Sequence, residues 1–578
     1  MFDNPQILPL GLSRPHVFAL LCSILLIFSA SLYLASTRGL TETLEAESAE
    51  IAREFIEGAS ILINHLNGQE DLDKPPLFYW TIALISRVCP NWELAARLPS
   101  LISACLIIYL FFRLPYHGEY WMAAALSGFI FISGIKVFWM SQMARIDMSF
   151  TAASFFGLWA AYKAIMDSQG ERTENPQKIP WAFFISAGVA VMLKGPVGAI
   201  IVFIPVFLYL AIEKRWRLIR HIFLGKGMLL FLLMTIPWFV TASIETDFRF
   251  FHRFILEENL SRFTNLIPGG TFKEFNHSPI YSYPIYFLTG FFPWSIAAPF
   301  WTYEIIKDWK NKDELSRLSF IYLLFVFLFF SMALSKRSDY ILPVYPVASY
   351  LTVRYFLDSR DRLKPLKLII LLTFTILILT GLCLSLSASV VVFLAPTTWN
   401  TFLKDIPVSN SMLFFLYSLP KYLPAFLALL IIGFSGLFFY MKGNDGHEVE
   451  NIVLPYALHM CCVFLLSSLV LIPALYKHKD ARPFCHNVAK IVDSNPLFYL
   501  GFWDEECTFY LHRRIPRLHL AEFLEKTEAG ERLFLILREK DFTRLPKKGI
   551  SFPFVYRQDS PLLRPLVLVS NQAIQQDN

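Results

Sequence analysis

Charged side chains are scarce in this chain of 578 residues, where Asp, Glu, Lys and Arg make up only 17%. A soluble globular domain carries about 25%, so the shortage excludes an ordinary soluble protein. Apolar residues replace the missing charge, with 55% hydrophobic and 16% aromatic residues. This composition predicts an integral membrane protein with many helical spans. The formal net charge of +6 is small for this length, and we expect no nucleic-acid partner.

The sequence also lacks a CxxC pair, an internal repeat and a low-complexity tract. Two of the eight cysteines, Cys485 and Cys507, lie in the C-terminal tail, where they can pair only if the tail occupies an oxidising compartment. The other six lie in or beside apolar runs and are expected to be small core residues. They are Cys22, Cys89, Cys105, Cys383, Cys461 and Cys462.

No small-residue cleavage site follows the first apolar run, at roughly 16–36. This run is also too long for the core of a signal peptide, so we expect a retained first span. Because a span needs about 20 apolar residues, hydropathy predicts about thirteen spans in the chain. They lie at roughly 16–36, 93–114, 120–140, 148–167, 180–193, 196–213, 222–241, 281–302, 318–334, 340–357, 366–395, 421–441 and 452–475.

Basic residues concentrate in three loops, and the positive-inside rule uses them to fix the orientation. With Arg14 on the cytoplasmic side, the loops at 214–226, 307–317 and 360–367 are cytoplasmic too. These three loops fall on the cytoplasmic side only if the segment 76–89 does not cross the membrane. The segment is about one turn shorter than a minimal span. We therefore expect an interfacial helix there, with Tyr79 and Trp80 at the level of the lipid headgroups.

The predicted fold class is an α-helical polytopic membrane protein with a small α/β domain at its C-terminus. Residues 1–475 form the membrane domain, and 476–578 form the α/β domain on the outer side, where β-like runs alternate with helical stretches. The β-like runs lie at 498–502, 532–539, 552–557 and 565–570, and the helices at 483–494 and 519–527. The outer loops are 37–92, 141–147, a turn near Lys194, 242–280, 335–339 and 396–420.

Ionisable residues recur in these outer loops next to the membrane, where they are costly unless they pair or face a water-filled cavity. Their common side of the membrane therefore predicts one site. The side chains suited to phosphate oxygens are Lys74, Arg145, Lys194, Arg262, Lys336, Arg337 and Tyr340. The carboxylates suited to a proton are Glu45, Asp73 and Asp147. Asp73 and Glu258 are also candidates for a divalent metal, with oxygen ligands that favour Mg²⁺ or Mn²⁺ over Zn²⁺.

Each of these patterns also has a purely structural interpretation. The charged residues at 50–57 are typical of a solvated helix face. Asp73 and Lys74 before two prolines fit a turn and a helix start, and Arg145 with Asp147 fits a simple ion pair. Lys336 and Arg337 fit ordinary loop cations, Asn259 fits a helix cap, and single histidines such as His252 and His277 are usually structural. The order and common side of the charged residues favour a site.

Short motifs along the chain occur in an order and spacing typical of one family. They are AEIAREF at 49–55, NG-x5-KPPLFYW at 67–80, RLPS at 97–100, ARID at 144–147, LKGPVG at 193–198, PW at 237–238, ENLSRF at 258–263, YSYP with GFFPW at 281–294 and SKRSDYILPVYP at 335–346. On these motifs the chain resembles the GT-C polyprenyl-phosphate glycosyltransferases. Its nearest branch is the bacterial aminoarabinose transferases that modify lipid A, relatives of the protein O-mannosyltransferases. The resemblance covers roughly 10–475.

The resemblance implies a monomeric enzyme of the inner membrane, with its site and C-terminal domain facing the periplasm and no nucleotide cofactor. The donor would be a sugar on undecaprenyl phosphate, such as 4-amino-4-deoxy-L-arabinose. The sugar would move with inversion to a lipid A phosphate or a similar acceptor.

Several family positions are changed in this sequence. The first-loop acidic pair of the family falls on Leu44 and Glu45, so only the Glu remains, and its metal-associated His falls on Asn259. The Tyr before AEI is Ser48. The family's Glu-Lys before the double Pro falls on Asp73 and Lys74, and its second-loop Asp falls on Asp147.

The leading hypothesis is glycosyl transfer from a lipid phosphate. Lys74, Arg262 and one of Lys194, Lys336 or Arg337 would hold the leaving phosphate, while Glu45 or Asp147 would orient or deprotonate the acceptor. The alternative acceptor, a hydroxyl of a protein or glycan, needs a stronger base, and Leu44 counts against it. A transporter of a polyprenyl-linked sugar would show paired repeats, and a non-catalytic scaffold would leave the order of the charges unexplained.

Overall fold

The computed structural model describes residues 14–114, 120–168, 181–260, 279–334, 336–358, 364–393, 419–443, 450–477, 479–546, 552–557 and 565–572. Up to Tyr476 the described residues are mainly helical, with one short β-hairpin, and a mixed sheet with helices follows. This arrangement confirms the predicted helical membrane protein with a small C-terminal α/β unit.

Helix bounds in the membrane half follow local signals. The Asn91 side chain accepts a hydrogen bond from Leu94 N at 2.7 Å, so α4 begins at Trp92. Asp313 caps α14 in the same way through Ser316 N at 3.0 Å. The helices are α1 Arg14–Thr37, α2 Thr43–Ile56, α3 Leu77–Ser86, α4 Trp92–Phe111, α5 Tyr120–Ile132, α6 Ile135–Ser141, α7 Ile146–Asp167, α8 Trp181–Lys194, α9 Pro196–Ile212, α10 Trp216–Leu224, α11 Lys226–Glu245, α12 Ser282–Gly290, α13 Ala298–Lys307, α14 Glu314–Ser331, α15 Val344–Asp358, α16 Lys364–Phe393, α17 Leu423–Gly443, α18 Glu450–Leu466 and α19 Ile472–Tyr476.

Several of these helices could cross a membrane. Among the described residues, six are long and apolar enough, and the pair α5 and α6, bent by 79°, makes a seventh. Other predicted spans correspond to shorter helices: 281–302 is divided between α12, a 3₁₀ turn at Trp294–Ala297 and α13. The chain is therefore a multi-pass membrane protein, and the number thirteen stays a prediction.

The segment predicted to lie on the membrane surface, 76–89, forms the ten-residue helix α3. Trp80 is partly exposed and donates from Nε1 to the carbonyl of Ile61 at 2.9 Å. The Tyr79 side chain is fully buried in the main core, so it faces the protein, and its level in the membrane stays a prediction. The helix therefore anchors to the protein through Tyr79 and Phe78 and exposes Leu84.

The first outer loop folds into α2 and a β-hairpin. Asn67 and Gly68 form the turn between β1 Asn64–Leu66 and β2 Gln69–Asp71, and both have positive φ, 55° and 75°, as a two-residue hairpin turn requires. A solvated face for the charged residues of α2 was expected. That expectation is wrong for Glu50, Arg53 and Glu54, which are buried because the C-terminal domain covers this helix.

The C-terminal domain is a five-stranded mixed sheet in the order β4-β3-β5-β7-β6. The strands are β3 Leu497–Leu500, β4 Arg517–Leu518, β5 Phe534–Arg538, β6 Phe554–Arg557 and β7 Leu566–Ser570. Successive residues of β5 point to two different cores: Phe534 and Ile536 to one face, Leu535 and Leu537 to the other. Such a strand, buried on both faces, reads as a continuous apolar run, which is why the sequence predicted it.

Four short helices complete this domain: α20 Arg482–Val492, α21 Glu505–Tyr510, α22 Leu520–Glu528 and α23 Glu539–Phe542. The domain contacts the first outer loop directly. Asn67 donates to the carbonyl of Ile515 at 2.7 Å and accepts from its N–H at 2.8 Å. Tyr510 accepts from Leu40 N at 2.9 Å. These contacts fix the loop that carries the candidate site.

Candidate functional site

A cavity of about 140 Å³ lies where the outer loops meet. Segments far apart in sequence contribute to it: the first loop, the start of α7, the end of α8, the π-helix Phe251–Leu260 and the segment after α14. Its lining combines charged groups with apolar walls. The lining residues are Leu44, Ser48, Asp73, Lys74, Pro75, Arg145, Ile146, Asp147, Leu193, Lys194, Val197, Phe254, Glu258, Asn259, Phe330, Ala333, Arg337 and Tyr340. The clustering expected for these loops is therefore observed.

Asp147 lies at the centre of the charged side of the cavity. Its Oδ1 accepts from Lys194 Nζ at 2.7 Å, and its Oδ2 lies 3.2 Å from a terminal nitrogen of Arg145. Lys194 ends α8, and Gly195 follows with φ of +74° before Pro196 starts α9. A Cβ at position 195 would lie 2.3 Å from the Phe254 ring, so the turn that presents Lys194 requires glycine.

Asp339 is a second carboxylate that holds the cavity cations, and no sequence pattern singled it out. It lies 2.6 Å from Arg145 and 3.6 Å from Arg337, and it also pairs with Lys136. Its side chain is 6% exposed. Asp339 therefore holds the Arg145 side chain in place through this ion pair. The neighbouring Tyr340 does line the cavity.

The backbone and side chain of Lys74 are both held in place. Asn64 donates to the carbonyl of Lys74 at 2.8 Å, and Pro75 and Pro76 follow before α3 begins. The ammonium lies 2.8 Å from Glu47 Oε1, and 35% of the side chain is exposed. Burial alone would lower the pKa of Lys74, but Glu47 raises it well above the usual value. Lys74 is therefore a fixed, permanently charged group.

Arg253 of the π-helix connects the two residues expected to bind a metal. Its Nε lies 2.9 Å from Asp73, and a terminal nitrogen lies 3.9 Å from Glu258. Within the described ranges no group of three or more His, Cys, Asp or Glu is arranged to hold a metal ion. Asn259, at the position of the family's His, donates instead to the carbonyl of Phe254 at 2.7 Å. This donor set does not fit a metal, because a guanidinium occupies the place between the carboxylates.

The base role predicted for Glu45 is not supported by its surroundings. The side chain is fully buried and does not line the cavity. Arg97 donates to both carboxylate oxygens, at 2.8 and 2.9 Å, and Arg38 pairs with the same group at 3.1 Å. Burial would raise the pKa of Glu45, but Arg38 and Arg97 lower it to about 2. Its Oε1 also accepts from Ala144 N at 2.9 Å, so Glu45 positions the segment that carries Arg145.

The remaining predicted residues lie apart from the cavity or outside the described part of the chain. Lys336 does not line the cavity, and its ammonium donates to the carbonyl of Ala333 at 2.8 Å. His252 is exposed and lies 3.2 Å from Glu257. Arg262 and His277 lie outside the described residues. Of the predicted cations, the structure therefore brings together Lys74, Arg145, Lys194 and Arg337, and Tyr340 joins them.

A second cavity, of about 500 Å³, shares Asp73 with the first. The hairpin, the π-helix and the C-terminal domain form it, and the domain contributes Trp503. Its cations are on the π-helix side: Arg249, which pairs with Glu70 at 2.7 Å, and Arg253. The two cavities are therefore neighbours, with Asp73 in the wall of both.

Comparisons with known proteins agree with this architecture. Residues 73–240 match the model of the dolichyl-phosphate-mannose-protein mannosyltransferase family. An uncharacterized protein of Aquifex aeolicus is 25% identical over 82% of this chain and 83% of its own length. Undecaprenyl phosphate-alpha-4-amino-4-deoxy-L-arabinose arabinosyl transferase 2 of Proteus mirabilis is 27% identical over 58% of this chain.

The match spans 58% of the length of that transferase, so less than two thirds of it is covered. Among solved structures, ArnT from Cupriavidus metallidurans bound to undecaprenyl phosphate has a TM-score of 0.75 and 19% identity. That similarity covers 98% of this chain and 100% of the other, and it establishes a shared fold. Together these findings confirm the predicted resemblance to the GT-C polyprenyl-phosphate glycosyltransferases.

Proposed function

We propose that this chain is a GT-C glycosyltransferase of the inner membrane. It moves a sugar of the 4-amino-4-deoxy-L-arabinose type from undecaprenyl phosphate to an anionic acceptor such as a lipid A phosphate. The observation that carries the proposal is the convergence of Lys74, Arg145, Lys194 and Arg337 on one cavity. The similarity to an undecaprenyl phosphate-aminoarabinose transferase and to a structure bound to undecaprenyl phosphate supports the same donor.

The donor phosphate fits the exposed cations of this cavity. Lys74 and Arg337 are the most accessible, at 35% and 45% exposed, whereas Arg145 and Lys194 are held more deeply by Asp147. The apolar wall formed by Leu193, Val197, Phe254, Phe330 and Ala333 suits the first isoprene units of a polyprenyl chain. A polar end and an apolar wall in one cavity match an amphipathic lipid phosphate.

The reaction is a displacement at the anomeric carbon of the sugar. An acceptor oxygen forms a bond to this carbon while the bond to the phosphate oxygen of the donor breaks, and the phosphate leaves with the bonding electrons. Cations that are already in place stabilise the negative charge that develops on the leaving phosphate. Lys74 and Arg337 supply this charge most directly.

The acceptor class follows from the state of the carboxylates. Each oxygen of Asp147 faces a cation, Lys194 or Arg145, and Asp73 is paired with Arg253. Burial would raise the pKa of Asp147, but Lys194 and Arg145 lower it, so Asp147 is a weak base. An acceptor that is already ionised, such as a phosphate, requires no strong base. A protein or glycan hydroxyl does require one, so the anionic acceptor is favoured.

The proposed orientation places the cavity and the C-terminal domain in the periplasm. The basic loops at 214–226 and 307–317 support it through the positive-inside rule. The acceptor would reach the cavity from the side of Trp503 and Arg249, which line the neighbouring second cavity together with Asp73. The protein would act as a monomer, and no step of the proposed reaction passes through a metal.

Mass spectrometry of lipid A tests the proposal directly. Cells that express the chain should yield lipid A heavier by one sugar, and cells that express an Arg337→Ala variant should yield much less of it. Lys336→Ala is the matched control, because Lys336 is the adjacent cation and does not line the cavity. Unmodified lipid A together with sugar on a protein or glycan hydroxyl would show that the acceptor is wrong and the alternative acceptor right.

A further inference from the structure

Two cysteines lie side by side in the core of the C-terminal domain. Cys485 belongs to α20 and Cys507 to α21, and their side chains are 1% and 0% exposed. The Cys485 thiol donates to the sulfur of Cys507 across 3.3 Å. The surrounding residues are apolar and belong to the same core, among them Phe484, Val488 and Phe534. The proposed transfer reaction uses neither sulfur.

We propose that Cys485 and Cys507 form a disulfide bond in the native protein. The two sulfur atoms need to approach by only about 1 Å to reach the bonded distance. A thiol is a weak hydrogen-bond donor, so the thiol pair contributes little to the domain, whereas a covalent bond restricts the unfolded chain. The residues that a disulfide requires are therefore already adjacent in the fold.

The oxidation is a thiol–disulfide exchange with a periplasmic dithiol oxidase, an enzyme that carries a disulfide of its own. Two S–H bonds of this chain break and one S–S bond forms. Two electrons and two protons pass to the disulfide of the oxidase, which becomes a dithiol. Burial raises the pKa of Cys485, and the contact with Cys485 raises that of Cys507. Because buried neutral thiols react slowly, the exchange takes place during folding, before the core closes.

The bond would join the two helices that contact the protein at both ends of the first outer loop, at Thr37 of α1 and Glu93 of α4. From α20, Arg482 donates to Glu93 at 3.2 Å and to the carbonyl of Thr37 at 3.1 Å. From α21, Tyr510 donates to the same Glu93 at 3.2 Å. A cross-link between α20 and α21 would fix these contacts relative to one another. It would therefore stabilise the attachment of the domain to the loop that carries Lys74.

This inference depends on the periplasmic location given in the proposed function, since a cytoplasmic domain would stay reduced. The test uses the full-length protein. Cells are lysed in acid, and the protein is unfolded in N-ethylmaleimide before any reductant is added, so that only free thiols react. Peptide mass spectrometry then shows the state of each cysteine. Cys461 is an internal control, because it is nearly as buried as the pair and its thiol donates to a carbonyl, that of Ser23, at 3.5 Å.

We expect Cys461 to be labelled, and Cys485 and Cys507 to be recovered unlabelled, as one cross-linked peptide that lacks two hydrogens. In a Cys507→Ala variant, Cys485 should become labelled. Labelling of both cysteines in the wild-type chain would overturn the inference. A reporter fused at Asn578 then identifies the reason: a periplasmic signal means that only the disulfide is wrong, and a cytoplasmic signal means that the proposed orientation is wrong as well.

Discussion

Replacing Lys74 by Ala should slow transfer severely while leaving the fold intact. The ammonium lies at the cavity, its backbone is fixed by Asn64 and by the two following prolines, and Glu47 keeps it charged. Because the pKa of Lys74 is raised well above its usual value, the cation is present throughout the range in which the enzyme can be assayed. It therefore meets the donor phosphate as a compact positive charge at every such pH.

The expected magnitude separates a catalytic role from a structural one. A partly exposed ion pair such as Lys74 with Glu47 contributes about 0–1 kcal/mol to stability, so the melting temperature should barely change. Removing one preorganised partner of a developing oxyanion costs about 10²–10³-fold in rate, which corresponds to roughly 2.7–4 kcal/mol. The assay is single-turnover transfer of a labelled sugar from undecaprenyl phosphate by purified protein in lipid nanodiscs.

Two further variants make the experiment decisive. The variant also leaves the Glu47 carboxylate without its cation, and this alone could disturb the cavity. In the double variant Lys74→Ala with Glu47→Gln, the stray charge is removed, so a rate that recovers would assign the loss to Glu47 and not to phosphate binding. The matched control Lys336→Ala removes a cation outside the cavity and should be nearly silent. Transfer by Lys74→Ala at the wild-type rate would refute the phosphate-binding role.

Four other predictions follow from the same structure. Glu45→Gln should destabilise the protein by about 3–5 kcal/mol, because it leaves Arg38 and Arg97 buried without their carboxylate; a fall in melting temperature and yield would check this. The pKa of Glu45 is lowered from 4.5 to about 2, so its contribution to stability is fully present above pH 4.5 and is lost as the pH falls through about 2. When the pH is lowered, the melting temperature of the wild-type protein should therefore decline more steeply than that of Glu45→Gln. Burial raises the pKa of Asp71 from 3.8 to about 7; stability should therefore fall as pH rises between these values, and Asp71→Asn should flatten that slope. Transfer should survive exhaustive chelation, since Arg253 lies between Asp73 and Glu258; a loss that only Mg²⁺ or Mn²⁺ restores would contradict this.

The sequence predicted the elements that depend on local pattern. Runs of about 20 apolar residues predicted α1, α4 and α11, and the alternation of short apolar runs with helical stretches predicted the C-terminal sheet. The sequence also predicted that Lys74, Arg145, Asp147 and Lys194 would meet, because the predicted orientation of the spans places all four on the same side of the membrane. A membrane limits each loop to two possible sides, and this constraint replaces much of the missing tertiary information.

The residues that sequence reasoning misjudged depend on partners far away in the chain. Glu45 is 52 positions from Arg97, and nothing local distinguishes a carboxylate buried between two guanidinium groups from a free one. Glu50 and Glu54 follow the spacing of a solvated helix face, but the C-terminal domain covers them. Asp339 stood inside a recognised motif, yet its role emerged only from its contact with Arg145.

The carboxylates around the cavity explain how an enzyme of this kind tolerates Leu44. Asp147, Asp339 and Glu47 each bond a cation of the cavity, so they act by holding positive charge in place before the substrate arrives. For Asp147, burial would raise the pKa, but Lys194 and Arg145 lower it, so this carboxylate is a poor proton acceptor. Such a site has a weak base but a fixed set of positive charges. It therefore suits an acceptor that is already ionised and has no proton to remove. A further acid at position 44 is not required for this chemistry.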